Sequence, residues 1–283
     1  MKSFTTPGPV ALTVRFAAGR LTVGTIAESD DPTTTIEVRP GNPDSSADVE
    51  HAAATTVEHR GDAIEVIAPT SKGWFGRNPR LDVRIVVPPQ SRVDADVKSA
   101  EVQLAGTLGP VAVSSASGDV AIEHAAQLQV RSASGDVSCQ SVVGNATVST
   151  ASGDARFETV AGSAEFQTAS GDAYLSHVGG DARLRSASGD VAVREADGSV
   201  NVRTASGDVR IESVRRGTVE IDSASGDVDV AVAVGTAAWL DVQALSGSVS
   251  SSLSPTDAPG DDAETVSIHA HTLSGDIRIR RAR

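Results

Sequence analysis

The sequence predicts an all-β protein, a parallel β-solenoid of about 18 residues per coil, capped by an N-terminal β region. Three observations lead there. The tripeptide Ser-Gly-Asp occurs eight times, with glycines at Gly118, Gly135, Gly153, Gly171, Gly189, Gly207, Gly226 and Gly275, and Gly247 heads a ninth copy in which Ser248 replaces the Asp. The steps between successive glycines are 17, 18, 18, 18, 18, 19, 21 and 28. Between the copies, apolar and polar residues alternate over short stretches, and no window keeps a helical period.

Residues 1–97 lack the repeat but read as a β region and cap. Ala11–Phe16, Leu21–Ile26, Thr34–Arg39, Thr55–Arg60, Ala63–Ala68 and Leu81–Val87 are rich in Val, Ile and Thr and are separated by Gly, Pro, Asn and Asp, which marks strands between turns. The polar stretch Asp30–Asp48, with Pro32, Pro40 and Pro43, reads as loop around one short strand. Pro88-Pro89 ends the last strand of this region.

Residues 98–283 form the solenoid, with irregular C-terminal coils. In the coil Val191–Asp208, apolar residues fall at offsets 0, 2 and 5 from Val191 and again at 9, 11 and 14, so the coil reads as two nine-residue halves. Alternation puts the apolar side chains of each half on one strand face, and glycine supplies the positive φ of a tight corner. One inward column then runs Ile122, Cys139, Phe157, Leu175, Val193, Ile211 and Val230. A corner column of Ala116, Ala133, Ala151, Ala169, Ala187, Ala205 and Ala224, ending in Leu245 and Leu273, is also expected to face inward. On that reading Ala187→Glu unfolds the middle of the stack. The far end is expected to carry the irregular coils, the acidic insertion Ser251–Glu264 and a finish of Arg278, Arg280, Arg281 and Arg283, whose charges would discourage strand pairing at the end.

Composition narrows the function. A net charge of −13 disfavours nucleic-acid binding, and no segment approaches a transmembrane span. Met1-Lys2-Ser3 leads into Pro7, Gly8 and Pro9 and not into the apolar run of a secretory signal, so a cytoplasmic location is expected, with envelope association as the alternative. The lone Cys139 makes no internal disulfide.

Few residues suggest chemistry. Asp119, Asp136, Asp154, Asp172, Asp190, Asp208 and Asp227 would stand about 4.8 Å apart along one edge, as a row of cation ligands would. The equivalent position in the other half-coil holds Asn145, Ser163, Asp181, Ser199, Thr218 and Thr236. What these residue types share is bonding to nearby backbone N–H groups, so turn bonding is the favoured role and metal ligation the alternative. His269 and His271 share one strand face and are the other metal candidates. The serine column Ser117, Ser134, Ser152, Ser170, Ser188, Ser206 and Ser225 has no histidine at a fixed offset and reads as structural. Trp74 and Phe75, flanked by glycines and cations in a chain with 3% aromatics, read either as a plug for the first coil or as a partner contact. No catalytic residue and no cofactor is indicated.

The run of Ser-Ala-Ser-Gly-Asp-Val phrases, preceded by Leu81-Asp82-Val83-Arg84-Ile85-Val86-Val87-Pro88, resembles the bacterial putative-adhesin family of β-solenoids, a domain of unknown function. That resemblance implies a non-catalytic interaction or scaffold protein linked to the cell envelope. Its expected partner is a protein or a surface glycan, and the chain itself is expected to be a monomer. The alternatives are a self-polymerising scaffold similar to bactofilins and a β-helix protein that binds or acts on polysaccharide.

Overall fold

Aliphatic side chains at every second position make strands in this chain because only the extended backbone puts them on one face, where burial of each Val, Leu or Ile is worth about 1.5–3 kcal/mol. The computed structural model describes residues 1–26, 32–70, 78–254 and 264–282. The chain forms two compact units, Met1–Val143 and Gly144–Arg283. Among the described residues no helix is long and apolar enough to cross a membrane.

In the first unit, strand Ala11–Thr25 is flanked on one edge by Ala63–Ile67 and Arg80–Val87 and on the other by Arg92–Ser117, all parallel to it. The two strands expected at Ala11–Phe16 and Leu21–Ile26 are thus successive stretches of one, with Gly19 at φ +128° between them. Arg92–Ser117 runs through residues 97 and 98 without a break and pairs in parallel with Val120–Ser134, which pairs in turn with Val137–Val142. On the outer side the parallel pattern stops. Thr33–Pro40 lies antiparallel to Arg80–Val87, Lys2–Thr5 antiparallel to Thr33–Pro40, and Thr56–Arg60 antiparallel to Ala63–Ile67.

A helix, Ser46–Ala54, begins inside the stretch Asp30–Asp48 expected to be loop around one short strand and continues through residues for which no element is expected. It is short, and its start is set by side chains: Ser45 Oγ accepts the Asp48 N–H at 3.3 Å, and the Asp48 carboxylate accepts the N–H groups of Asn42 (3.0 Å) and Arg80 (3.2 Å). Nine residues are too few for a visible period, so the signal was the cap and not the pattern.

In the second unit each coil contributes two strands. One sheet contains Ala155–Val160, Ala173–Val178, Val191–Ala196, Val209–Val214 and Val228–Val232. The other contains Ala146–Ser152, Ala164–Ser170, Ala182–Ser188, Val200–Ser206 and Gly217–Ser225. Neighbours in each sheet are parallel and offset by one coil, so that Ala173 pairs with Val191 and Ala182 with Val200. The inward column expected from Ile122 to Val230 is buried at every position. Phe157 and Phe166 meet edge to face in the core, ring centroids 4.7 Å apart.

The corner alanines are not inside. Ala116, Ala133, Ala151, Ala169, Ala187, Ala205 and Ala224 are exposed, as are Leu245 and Leu273. The residue before the alanine turns inward instead: Ser115, Ser132, Thr150, Ser186, Thr204 and Ser223 are buried, and Thr168 is half-buried. The second half of each coil stays extended up to the corner, so offsets 9, 11 and 13 share a face and offset 14 points out. The first half breaks its alternation between Val193 and Ala196, which restores an inward residue at offset 5. The two halves are therefore not equivalent. Several of these hydroxyls close the corner from within, as Thr150 does by donating to Ser152 O at 3.3 Å and Thr204 by donating to Ser206 O at 3.2 Å, whereas Ser186 and Ser223 Oγ have no partner among the described residues.

The C-terminal coils stack out of chain order. Thr265–Ser274 pairs with Gly217–Ser225 on one edge and with Ala237–Ser246 on the other. Ile277–Arg281 likewise lies between Val228–Val232 and Val249–Ser251. The last coil in sequence is therefore inserted between its two predecessors, and the coil 237–251 ends the stack. Of the arginine-rich finish expected at the end, Arg280 and Arg281 are tied to the preceding coil: Arg280 Nε donates to Asp229 Oδ1 at 3.0 Å, and Arg281 Nη1 to Thr236 O at 2.6 Å; Arg283 lies outside the described residues.

These placements set a contrast. Ala187→Glu should change the unfolding free energy by no more than about 0.5 kcal/mol, whereas Leu184→Ala, at a site with 0% exposure, should cost about 2–5 kcal/mol; urea denaturation of both variants checks this.

Candidate functional site

The Ser-Gly-Asp corners are the most repeated feature of the chain, and their geometry decides what they can do. The nine corner glycines have φ between +115° and +142°. A Cβ on Gly189 would stand 2.2 Å from the carbonyl oxygen of Gly171 in the coil beneath. Both the backbone angle and the closeness of the stacked backbones thus require glycine.

With the backbones this close, three hydrogen bonds join the corner at Gly189 to the one at Gly207. Gly189 N–H donates to Ser206 O (3.1 Å), Val191 N–H to Asp208 O (2.9 Å), and Asp208 N–H to the Asp190 carboxylate Oδ1 (2.8 Å). The carboxylate contact recurs from Asp136 to Asp119, Asp172 to Asp154, Asp190 to Asp172, Asp227 to Asp208 and Asp276 to Asp227, at 2.8–3.0 Å. The aspartates do bond backbone N–H groups, but those of the neighbouring coil and not of their own turn. The opposite corner uses the same device, with Asn145 Oδ1 accepting Ser163 N–H (3.0 Å), Asp181 Oδ1 accepting Ser199 N–H (3.0 Å) and Ser199 Oγ accepting Thr218 N–H (3.2 Å).

A hydrogen bond to the ionised form lowers a carboxyl pKa. The Asp172 N–H, followed by the Arg156 guanidinium, holds Asp154 below its ordinary range against slight burial. The Ser248 N–H does the same for Asp276. Ser248 carries no carboxylate, so the ladder ends on the coil 237–251.

The other candidates fall as follows. His269 and His271 lie on the inserted strand, in register with Glu220 and Asp222 on one side and Asp241 and Gln243 on the other, and His269 Nδ1 is 3.6 Å from Asp241 Oδ2. Among the described residues no three His, Cys, Asp or Glu side chains cluster so as to hold a metal ion. Trp74 and Phe75 lie outside the described residues. Ser152, Ser170, Ser188, Ser206 and Ser225 form an exposed column with no histidine in register. Cys139 is buried among aliphatic neighbours, which pushes its thiol up to about 12.

Two open grooves run along the edges of the second unit. One, of about 260 Å³, crosses successive coils and is lined by Asn145, Thr147, Glu165, Arg183, Ser199 and Asn201 among others. The second, of about 220 Å³, follows the ladder past Asp190, Asp208, Asp227, Arg210 and Arg278. Neither is enclosed by the fold, so each presents side chains to something laid along it. The residues of both edges are legible in the sequence; the internal hydroxyl column and the buried Asp48 are not, and the only sign of Asp48 is its place three residues after Ser45.

The family model described as Toastrack DUF4097 matches residues 28–280, and the chain belongs to that family. No curated protein matches it. Among solved structures it is similar to a putative cell adhesion protein from Clostridium sporogenes, at 9% identity over 99% of this chain and 98% of the other, with a TM-score of 0.22. It is also similar to putative adhesins from Parabacteroides distasonis (10% identity, TM-score 0.33) and Parabacteroides merdae (11%, TM-score 0.26), each match covering 78% of this chain and 95% of the other.

The ladder makes two predictions. Asp190→Ala, which removes the acceptor for Asp208 N–H, should cost about 1 kcal/mol, while Asp190→Asn keeps an acceptor, as Asn145 does naturally, and should stay within about 0.5 kcal/mol in urea denaturation. Because Asp154 and Asp276 are more acidic folded than unfolded, their contribution is present above the unfolded carboxyl value and is lost as pH falls through the depressed folded values. Unfolding midpoints should therefore decline below about pH 4, and Asp154→Asn should flatten that decline.

Proposed function

We propose that this Toastrack chain is a non-catalytic, adhesin-like interaction module that binds its partner across the outward faces of its stacked coils. The observation that carries the reading is the commitment of the repeated aspartates: Oδ1 of Asp119, Asp154, Asp172, Asp190, Asp208 and Asp227 already accepts an N–H of the neighbouring coil at 2.8–3.0 Å. What remains free for recognition is a flat surface of mixed charge. In the second unit Arg183, Arg185 and Arg203 stand exposed on one face beside Glu220 and Asp222. Exposed Arg side chains on a rigid sheet suit a protein or glycan that carries carboxylate or phosphate groups. The resemblance of the repeat to the putative-adhesin family supports a partner at the cell envelope.

A second reading, polysaccharide binding without catalysis, is favoured by the polar groove past Asn145, Glu165, Arg183 and Asn201, which crosses several coils as a linear polymer would.

Binding to a bacterial envelope preparation tests both. The chain should bind saturably, and the triple variant Arg183→Glu, Arg185→Glu, Arg203→Glu should bind at least about tenfold more weakly with an unchanged unfolding midpoint. Loss of binding after protease treatment of the envelope identifies a protein partner, and loss after glycosidase treatment a glycan. Absence of binding, or binding that the triple variant retains in full, would refute the proposal.

A further inference from the structure

The coil that ends the stack differs from every other described coil of the second unit. Among the described residues its strands, Ala237–Ser246 and Val249–Ser251, have neighbours on one edge only. Its inward side chains are open: Leu240 is 38% exposed, whereas Ile268, its partner in register, is 0% exposed. Val249 is 46% exposed, and around the rim Trp239 and Leu245 reach 72% and 83%. In a chain with 22% charged residues, the stretch 237–254 has one, Asp241. The arginines that could have guarded this edge lie one coil further in. An edge with unpaired backbone groups, an open apolar interior and almost no charge is a template for strand pairing.

We propose that this coil is a homodimer interface, on which a second copy of the chain docks its own coil 237–251 edge to edge about a twofold axis. The end exposes two strands with an interior between them. A single extended peptide would extend only one of the two sheets, whereas a second copy extends both and closes the interior. A twofold axis through the interior makes each strand pair antiparallel and keeps inward residues facing inward. Centred on Val242, that pairing sets Trp239 opposite Leu245 and Leu240 opposite Ala244. It also sets Asp241 opposite Gln243, so that the one charge does not meet its own copy. The sequence marks this coil as an end: Ser248 stands where the other corners have Asp, and no carboxylate is offered to a further parallel coil. A twofold interface uses the same surface on both copies and is closed, so the pairing yields a dimer and not a filament. The dimer departs from the monomer expected from the sequence and does not rest on the adhesin reading.

Sedimentation of the full chain from low to high micromolar concentration tests the interface. The wild type should reach twice its 28.8 kDa mass. The double variant Trp239→Glu, Leu245→Glu, at exposed positions, should raise the dimer dissociation constant at least about tenfold with an unchanged unfolding midpoint. Val143→Glu, which changes another exposed residue (71%), should leave the dimer intact. A wild type that stays monomeric, a dimer that survives the double variant, or one that Val143→Glu weakens equally would overturn the proposal.

Discussion

The structure depends on how closely two glycine corners can be stacked. At Gly189 a side chain of any kind would occupy the place of the Gly171 carbonyl. Leaving that space empty brings the backbones of successive coils into hydrogen-bonding distance at the corner, where strands normally give way to unpaired loop. The Ser carbonyl, the Gly N–H and the groups on either side of the Asp then find partners in adjacent coils. The Asp side chain supplies the one acceptor that the backbone itself lacks. The sheets thus continue around the bend, and the aliphatic columns inside inherit their register from the corners as much as from their own packing.

This division of labour explains why so much repetition has so little chemistry attached. A column of identical carboxylates suggests cation binding only while their partners are unknown. With backbone N–H groups donating to Asp119, Asp154, Asp172, Asp190, Asp208 and Asp227, the negative charge is held in place by the fold, and such bonds hold the Asp154 and Asp276 carboxyls below the usual range. On the proposed reading, recognition falls to the positions that the repeat does not fix, namely the outward strand residues.

Much of this was legible in the sequence. The period gave the coil, and the column from Ile122 to Val230 gave the core. The alanine corner was misread because Ala and Ser or Thr are close in size, and hydropathy favours Ala for the interior. The deciding factor was geometric: alternation persists to offset 13, where Ser or Thr turns in and its hydroxyl can serve a corner carbonyl. The order of the last coils was hidden because spacing along a chain does not say which slot a coil fills. Its one trace was Ser248, which ends the carboxylate ladder while Asp276 joins directly to Asp227. The helix at Ser46–Ala54 was hidden because nine residues carry a cap but no period.

The central claim is that the corner amides are bonded between coils through the aspartate side chains. Residue-resolved amide hydrogen exchange measures this directly. The account predicts that the N–H groups of Asp172, Asp190, Asp208 and Asp227 exchange as slowly as those of the buried strands on either side. Exchange at the rate of an open loop at those four amides would contradict it.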